Sequence, residues 1–278
     1  MGDDLLFVGE IGINASGNIE DAFKLIDMAK ECGCDAVKFQ KRDVDTVYTK
    51  EFLDSPRESP WGTTQRAQKE GLEFTHTDYV MIDDHCFERD IDWFASAWDT
   101  KSQEFLSHFN LKYNKIASAM LTHKDLVKMV ADEGKHTFIS TGMSNFKQID
   151  DVVGLFRAVG CPFTILHCVS VYPCRDEWCN VRMVQTLKER YDCPVGYSGH
   201  ELGILPSVLA VSLGASVIER HITSDRSGYG SDQSASLEKE GLSRLIRDCK
   251  DVHKMLGDGH KAILPQEDEC AAKLRYWA

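Results

Sequence analysis

The segment VIERHITSDR, Val217 to Arg226, decides how the chain is read. Val217, Ile218, Ile222 and Thr223 give it the β-branched bulk of a buried strand. Yet Glu219, Arg220 and His221 stand in its middle. Side chains on a strand alternate between faces, so Glu219 and His221 share one face and Arg220 takes the other. Read as a strand, the segment is the eighth of a series, and eight parallel strands are what close a (β/α)8 barrel.

The other seven precede it at regular intervals. LLFVGEIG is the first, followed by IEDAFKLIDMAKECG, whose apolar positions recur every three and four residues as on a helix. AVKFQ, DWFASA, YNKIAS, HTFISTG, FTILHCVS and PVGYSG follow, with helical patterns between most of them. Gly33, Gly134, Gly160 and Gly214 close four of these helices, as glycine does at helix C-termini. The prediction is one α/β domain over residues 1–278, a closed (β/α)8 TIM barrel, with an open doubly wound sheet as the competing arrangement. An irregular insertion is expected over about residues 41–75, and a polar tail from about residue 258 is expected to cap the barrel.

The 278 residues suit one such barrel, which uses about 250, and 42% hydrophobic with 27% charged residues is ordinary globular composition. A net charge of −12 argues against a nucleic-acid or acidic-membrane surface, so neither partner is expected. No basic N-terminus leads into an apolar stretch and no apolar run reaches the roughly 18 residues of a membrane span. A cytoplasmic protein is expected. The 10 cysteines are irregularly spaced without a CxxC pair, and read as reduced buried thiols rather than a zinc framework.

In this fold the reactive face lies at the C-terminal ends of the strands. Those ends carry Glu10 on strand one, Lys38 and Gln40 on two, and Ser96 and Asp99 after three. Lys115 and Ser118 follow on four, Ser140 and Thr141 on five, and His167, Ser170 and Tyr172 on six. Ser198 and His200 end strand seven, and Glu219 and His221 end strand eight. Taken singly, a strand lysine snorkels, a histidine satisfies itself in a core, a serine beside glycine makes a turn, and Glu10 pairs with a lysine. Taken together they converge on one mouth, and buried charges are costly unless paired or bound to metal. Two imidazoles on adjacent strands suit Mn²⁺, Zn²⁺ or Fe²⁺. Lys38 and Lys115 suit a phosphate or carboxylate. The set reads as a site for a phosphorylated acid, with a Lewis acid and a general base.

The motifs GEIGIN, AVKFQ, KIAS, ISTGM, LHCVSVYP, GYSGHELG and GASVIERHITSDR, in this order from Gly9 to about Gly257, resemble the N-acetylneuraminate (sialic acid) synthase family. That resemblance implies a cytoplasmic transferase that condenses phosphoenolpyruvate with an N-acylated hexose such as N-acetylmannosamine, releases phosphate, and uses a divalent metal, commonly Mn²⁺. It implies His200 and His221 as metal ligands. It implies Lys38 and Lys115 on phosphoenolpyruvate, with Gln40, Ser96, Ser118, Ser140, Ser170, Tyr172 and Ser198 lining the pocket. Glu10 would lie near the sugar and the attacking water, Glu219 beside metal-bound water, and Asp232 against the sugar hydroxyls.

Three features depart from the family pattern. Family members often carry a C-terminal antifreeze-like domain whose arginine reaches the partner's site, whereas the resemblance here covers the barrel domain only. Arg66 in the insertion is a candidate replacement, and homodimerisation is a weaker expectation. Met120 stands where many members have an acidic residue, and Gly199 where many have Asp. Both fall on the sugar side, so the acceptor could be a different aldose, legionaminic and pseudaminic acid precursors included. A non-catalytic relative that binds metal or sugar is the alternative. A Schiff-base aldolase would need a lysine on strand six, and an amidohydrolase a His-x-His after strand one; neither is present.

Overall fold

The computed structural model describes residues 5–277. In it each strand-like run forms a strand of one closed parallel barrel. The strands are β1 (Leu6–Gly12), β2 (Ala36–Lys41), β3 (Asp92–Ala97), β4 (Tyr113–Ile116), β5 (His136–Ser140), β6 (Phe163–Cys168), β7 (Val195–Gly199) and β8 (Val217–His221). The principal helices between and after them are α1 (Ile19–Cys32), α2 (His76–Glu88), α3 (Thr100–Ser107), α4 (Lys124–Asp132), α5 (Phe146–Val159), α6 (Met183–Tyr191), α7 (Leu205–Ser212) and α8 (Lys239–Leu256). β1 pairs in parallel with both β8 and β2, which closes the ring. The open-sheet arrangement is thereby excluded.

Two apolar layers hold the barrel. The larger lies between sheet and helices, where Ile26, Phe39, Tyr79, Trp93, Phe156 and Ile218 are buried. The smaller fills the barrel itself: Val8, Ala36, Phe94, Phe138, Leu166 and Val217 point inward from six strands. Two residues further along each strand the inward positions are Glu10, Lys38, Ser96, Ser140, Cys168 and Glu219. The period of two therefore stacks a polar layer on an apolar floor. Gly33, Gly134, Gly160 and Gly214 all have positive φ, as their places at helix ends require.

Two expectations fail here. The insertion is not irregular. It folds into short helices at Val44–Val47 and Lys50–Leu53, a hairpin of Pro56–Ser59 with Gly62–Thr64, and a helix at Gln65–Leu72. Asp43, Thr49 and Thr64 cap its helices with their side chains. Its Trp61 meets Tyr229 edge-on with ring centroids 5.6 Å apart, which ties the excursion to the loop after β8. The tail does not cap the barrel: its helix Asp268–Leu274 buries no residue, and Ile263 and Leu274 stay exposed.

Candidate active site

Closure of the barrel sets the register of the charges. Glu10 lies opposite His221 on one side and Lys38 on the other, and Glu219 lies opposite Ser198. Glu10, Lys38, Lys115 and Glu219 are each at most 5% exposed. Burial of four charges is tolerable only if they satisfy one another, and they do. Lys38 Nζ is 2.9 Å from Glu10 Oε2 and 3.6 Å from Glu219 Oε1. Lys115 Nζ donates to Glu219 Oε2 at 2.9 Å and to Ser140 Oγ at 2.6 Å. Ser198 donates to Glu219 Oε1 at 3.0 Å, and Gln40 Nε2 donates to Glu10 Oε1 at 2.8 Å.

This environment drives the two carboxyls apart. Burial opposes charge on Glu219, but Lys115 and Lys38 outweigh it and hold the group down to about 2. On Glu10 burial wins over Lys38, and Glu219 adds to it, so its pKa is raised. The lysines diverge for the same reason. Burial lowers Lys115, which has one carboxylate partner; Lys38 has two, and they raise it against burial.

A second cluster adjoins this layer. His200 and His221 stand with ring centroids 5.3 Å apart, and Tyr172 covers both, 4.1 Å from His200 and 5.6 Å from His221. His200 Nδ1 is engaged by the Val169 carbonyl at 2.8 Å. Burial pushes His221 down to about 3, so its ring is neutral and able to ligate. Its Nδ1 is buried without a hydrogen-bond partner among the described residues, 3.7 Å from Asp232 Oδ2. Among the described residues no three His, Cys, Asp or Glu side chains gather as a metal cluster. The donor set fits a divalent ion that takes its remaining ligands from water and substrate.

The remaining expected residues fall around these two clusters. Ser96 is buried with its hydroxyl unpartnered, opposite both Gln40 and Lys115. Ser118 accepts the Gly142 N–H at 3.1 Å, and a Cβ on Gly142 would come within 2.3 Å of Ser170 Oγ, so the three positions touch. Three residues noted at strand ends or in the insertion lie elsewhere. His167 faces outward and binds the Cys179 carbonyl at 2.8 Å; Asp99 caps α3. Arg66 is held by Asp45 and Glu70 within its own excursion.

Sequence reasoning missed three participants. Cys168 Sγ lies 3.4 Å from Ser118 Oγ, 3.7 Å from Ser170 Oγ and 3.9 Å from His200 Nδ1. Burial opposes its ionisation, but His200 brings the thiol down to about 7. Strand parity alone would have found it, since Leu166, Cys168 and Ser170 alternate with His167. Lys69 and Arg42 are the others. Arg42 bonds Glu73 and Gln40 and lies over the Trp98 ring. Lys69 sits over Tyr48 and makes no ion pair with the described residues. Burial lowers its pKa, as do Arg57 and Arg42, while Asp232 opposes them.

Gly199 has a geometric cause. A Cβ there would come within 2.6 Å of Glu201 Oε2 and 2.7 Å of Tyr197 Cε1. Glu201 occupies that space because it pairs with Arg220, the outward residue of β8, at 2.9 Å. Thus Arg220 faces a carboxylate outside the barrel, and Glu219 and His221 are turned inward.

A (β/α)8 barrel that gathers buried carboxylates, lysines and an imidazole pair at its C-terminal mouth has the layout of an enzyme, and comparison with known proteins narrows it. The NeuB family model matches residues 25–261. N-acetylneuraminate-9-phosphate synthase of Homo sapiens is 38% identical over 270 residues, 96% of this chain and 75% of the relative. N,N'-diacetyllegionaminic acid synthase of Legionella pneumophila is 32% identical, over 94% of this chain and 75% of the relative. The crystal structure of the N-acetylneuraminic acid synthetase of Leptospira borgpetersenii, in complex with citrate, superimposes with a TM-score of 0.87 at 29% identity, covering 99% of this chain and 94% of that one. The protein is a carbon–carbon bond-forming enzyme of the sialic-acid-synthase type. It belongs to the NeuB family.

Proposed function

We propose that the protein condenses phosphoenolpyruvate with an N-acylated hexose to give a nine-carbon 2-keto sugar acid and inorganic phosphate. The observation that carries this reading is the neutral buried layer of Glu10, Lys38, Lys115 and Glu219. Two ammoniums already balanced by two carboxylates can receive an anion by exchanging partners. Phosphoenolpyruvate brings a phosphate of about −1.5 to −2 besides its carboxylate. Lys38, Lys115 and the hydroxyls of Ser140, Ser170 and Ser198 would hold it. His200 and His221 would hold the divalent ion, Mn²⁺ first, which would offset part of that charge and supply a Lewis acid for the acceptor's carbonyl oxygen.

Carbon three of phosphoenolpyruvate then bonds to the aldehyde carbon. Glu10, which takes up a proton the more readily once the anion draws Lys38 away from it, gives that proton to the aldehyde oxygen. Glu219, ionised at rest, takes a proton from the water that adds to carbon two and, being a weak base beside two lysines, passes it on to the departing phosphate. The C–O bond to phosphate breaks, and the lysines neutralise the leaving group.

A specific observation favours a phosphorylated acceptor. Lys69 feels the charges of Arg57, Arg42 and Asp232, the residue expected against the acceptor, and makes no ion pair with the described residues. The human relative is named for a 9-phosphate product. The test is phosphate release by Mn²⁺-loaded protein from phosphoenolpyruvate with N-acetylmannosamine, its 6-phosphate or a di-N-acetylated hexose. Release that depends on the 6-phosphate, and loses that preference in Lys69→Ala, is the expected result. Absence of release with every acceptor would overturn the synthase reading.

A further inference from the structure

The loop after β6 carries a feature that the proposed reaction does not use. Cys174 and Cys179 flank a short turn at Asp176–Trp178 and bury their sulfurs 3.9 Å apart. Both residues are at most 4% exposed. The two thiols compete for one acceptor: each S–H points at the Arg175 carbonyl, at 3.5 Å. Backbone groups on either side already fix both positions. Cys174 N–H donates to the His200 carbonyl at 2.9 Å, and the Cys179 carbonyl accepts from His167.

We propose that Cys174 and Cys179 are a reversible oxidative modification site whose disulfide locks this loop and slows the enzyme. A disulfide has an S–S length of about 2.05 Å, so closure asks each sulfur to move by about 1 Å. Two thiols lose two protons and two electrons to an oxidant, a peroxide or a diazene such as diamide, and one S–S bond forms. In a reducing compartment the pair stays as thiols. Closure pulls on Cys174, whose amide holds the His200 backbone and whose neighbours two positions back include Tyr172, the ring over both imidazoles. The bond therefore acts on the geometry of the histidine pair from outside the barrel.

The site supplies its own assay. Arg175 lies between the two cysteines, so trypsin separates them in the reduced protein and leaves them joined only through sulfur. Full-length protein treated with diamide, alkylated and digested without reductant should yield the Cys174–Cys179 linked peptide. It should vanish with dithiothreitol, and in Cys174→Ala and Cys179→Ala variants whose melting temperature shows them folded. Phosphate release should fall several-fold on oxidation and recover on reduction in the wild type, while both variants resist; this arm rests on the proposed reaction. Failure of the linked peptide to form, or modification of Cys168 with these two thiols left alkylatable, would overturn the site whatever the activity. A linked peptide with unchanged phosphate release would overturn the regulatory role. Absence of phosphate release before oxidation would count against the synthase reading instead, and the peptide would still decide the site.

Discussion

At the scale of single residues, the chemistry depends on which charge each buried group keeps. Glu219 receives two lysines and a serine, whereas Glu10 receives one lysine and an amide, and that difference sets their opposite shifts. Lys115 is the partner without a substitute: Lys38 reaches Glu219 only at 3.6 Å. Lys115→Met should raise the Michaelis constant for phosphoenolpyruvate roughly tenfold or more, about 1.4 kcal/mol, and alter that for the acceptor much less. Steady-state kinetics with each substrate varied will decide; equal changes for both would contradict the anion role. His221 makes a separate prediction. Its Nδ1 makes no hydrogen bond with the described residues, so His221→Ala should lower bound Mn²⁺ below one per chain after dialysis while the fold persists. Full metal content in that variant, by atomic emission, would remove His221 from the ligand set.

At the scale of elements, the strand period does most of the positioning. On β8, Arg220 pairs outward with Glu201 while Glu219 and His221 face inward, so a buried ion pair outside the barrel orients two residues inside it. Glu201→Gln leaves Arg220 buried without a counter-charge, a loss on the order of 3–5 kcal/mol. Gly199→Ala drives a methyl against Glu201 and Tyr197 and should cost about 1–3 kcal/mol. Both are measured by urea unfolding, and a Gly199→Ala midpoint equal to the wild type would show that Glu201 moves freely. This scale also shows what the sequence made legible. Apolar runs with alternating polar positions revealed all eight strands, and strand ends revealed Glu10, Lys38, Lys115, His200, Glu219 and His221. His167 misled because its residue type suggests chemistry while its parity points outward. Cys168 was overlooked because a thiol in an apolar run looks like any small hydrophobe. The excursion at residues 42–75 escaped because its helices are too short to show a period, and Glu201 could not be assigned because its partner Arg220 is nineteen positions away.

At the scale of the whole molecule, burying this site couples the fold to pH. Glu219 is held at about 2 in the folded chain, against 4.5 in an ordinary carboxyl, so the unfolded state binds the proton first as pH falls. Its contribution is complete above pH 4.5 and drains away between 4.5 and 2. His221 acts in the same direction over a higher window. Folded, it stays neutral to about pH 3, whereas an ordinary imidazole takes its proton near 6.5. Below 6.5 the unfolded chain therefore binds more protons, and stability declines as pH falls from 6.5 to 3. Glu10 works against them: its raised pKa lets the folded state hold a proton more readily, which favours the fold at acid pH and is lost on raising it. His200, raised by Cys168 against burial, also favours the protonated fold, and its share is lost as pH rises. Between pH 6.5 and 5, therefore, Glu219 is silent, His221 lowers stability as pH falls, and Glu10 and His200 act the other way. On going from pH 6.5 to 5, the unfolding free energy of chelator-treated His221→Asn, which lacks the titrating ring, should thus lose less, or gain more, than that of the wild type. A slope unchanged by that substitution would assign the acid sensitivity to another group and leave His221 with an ordinary titration.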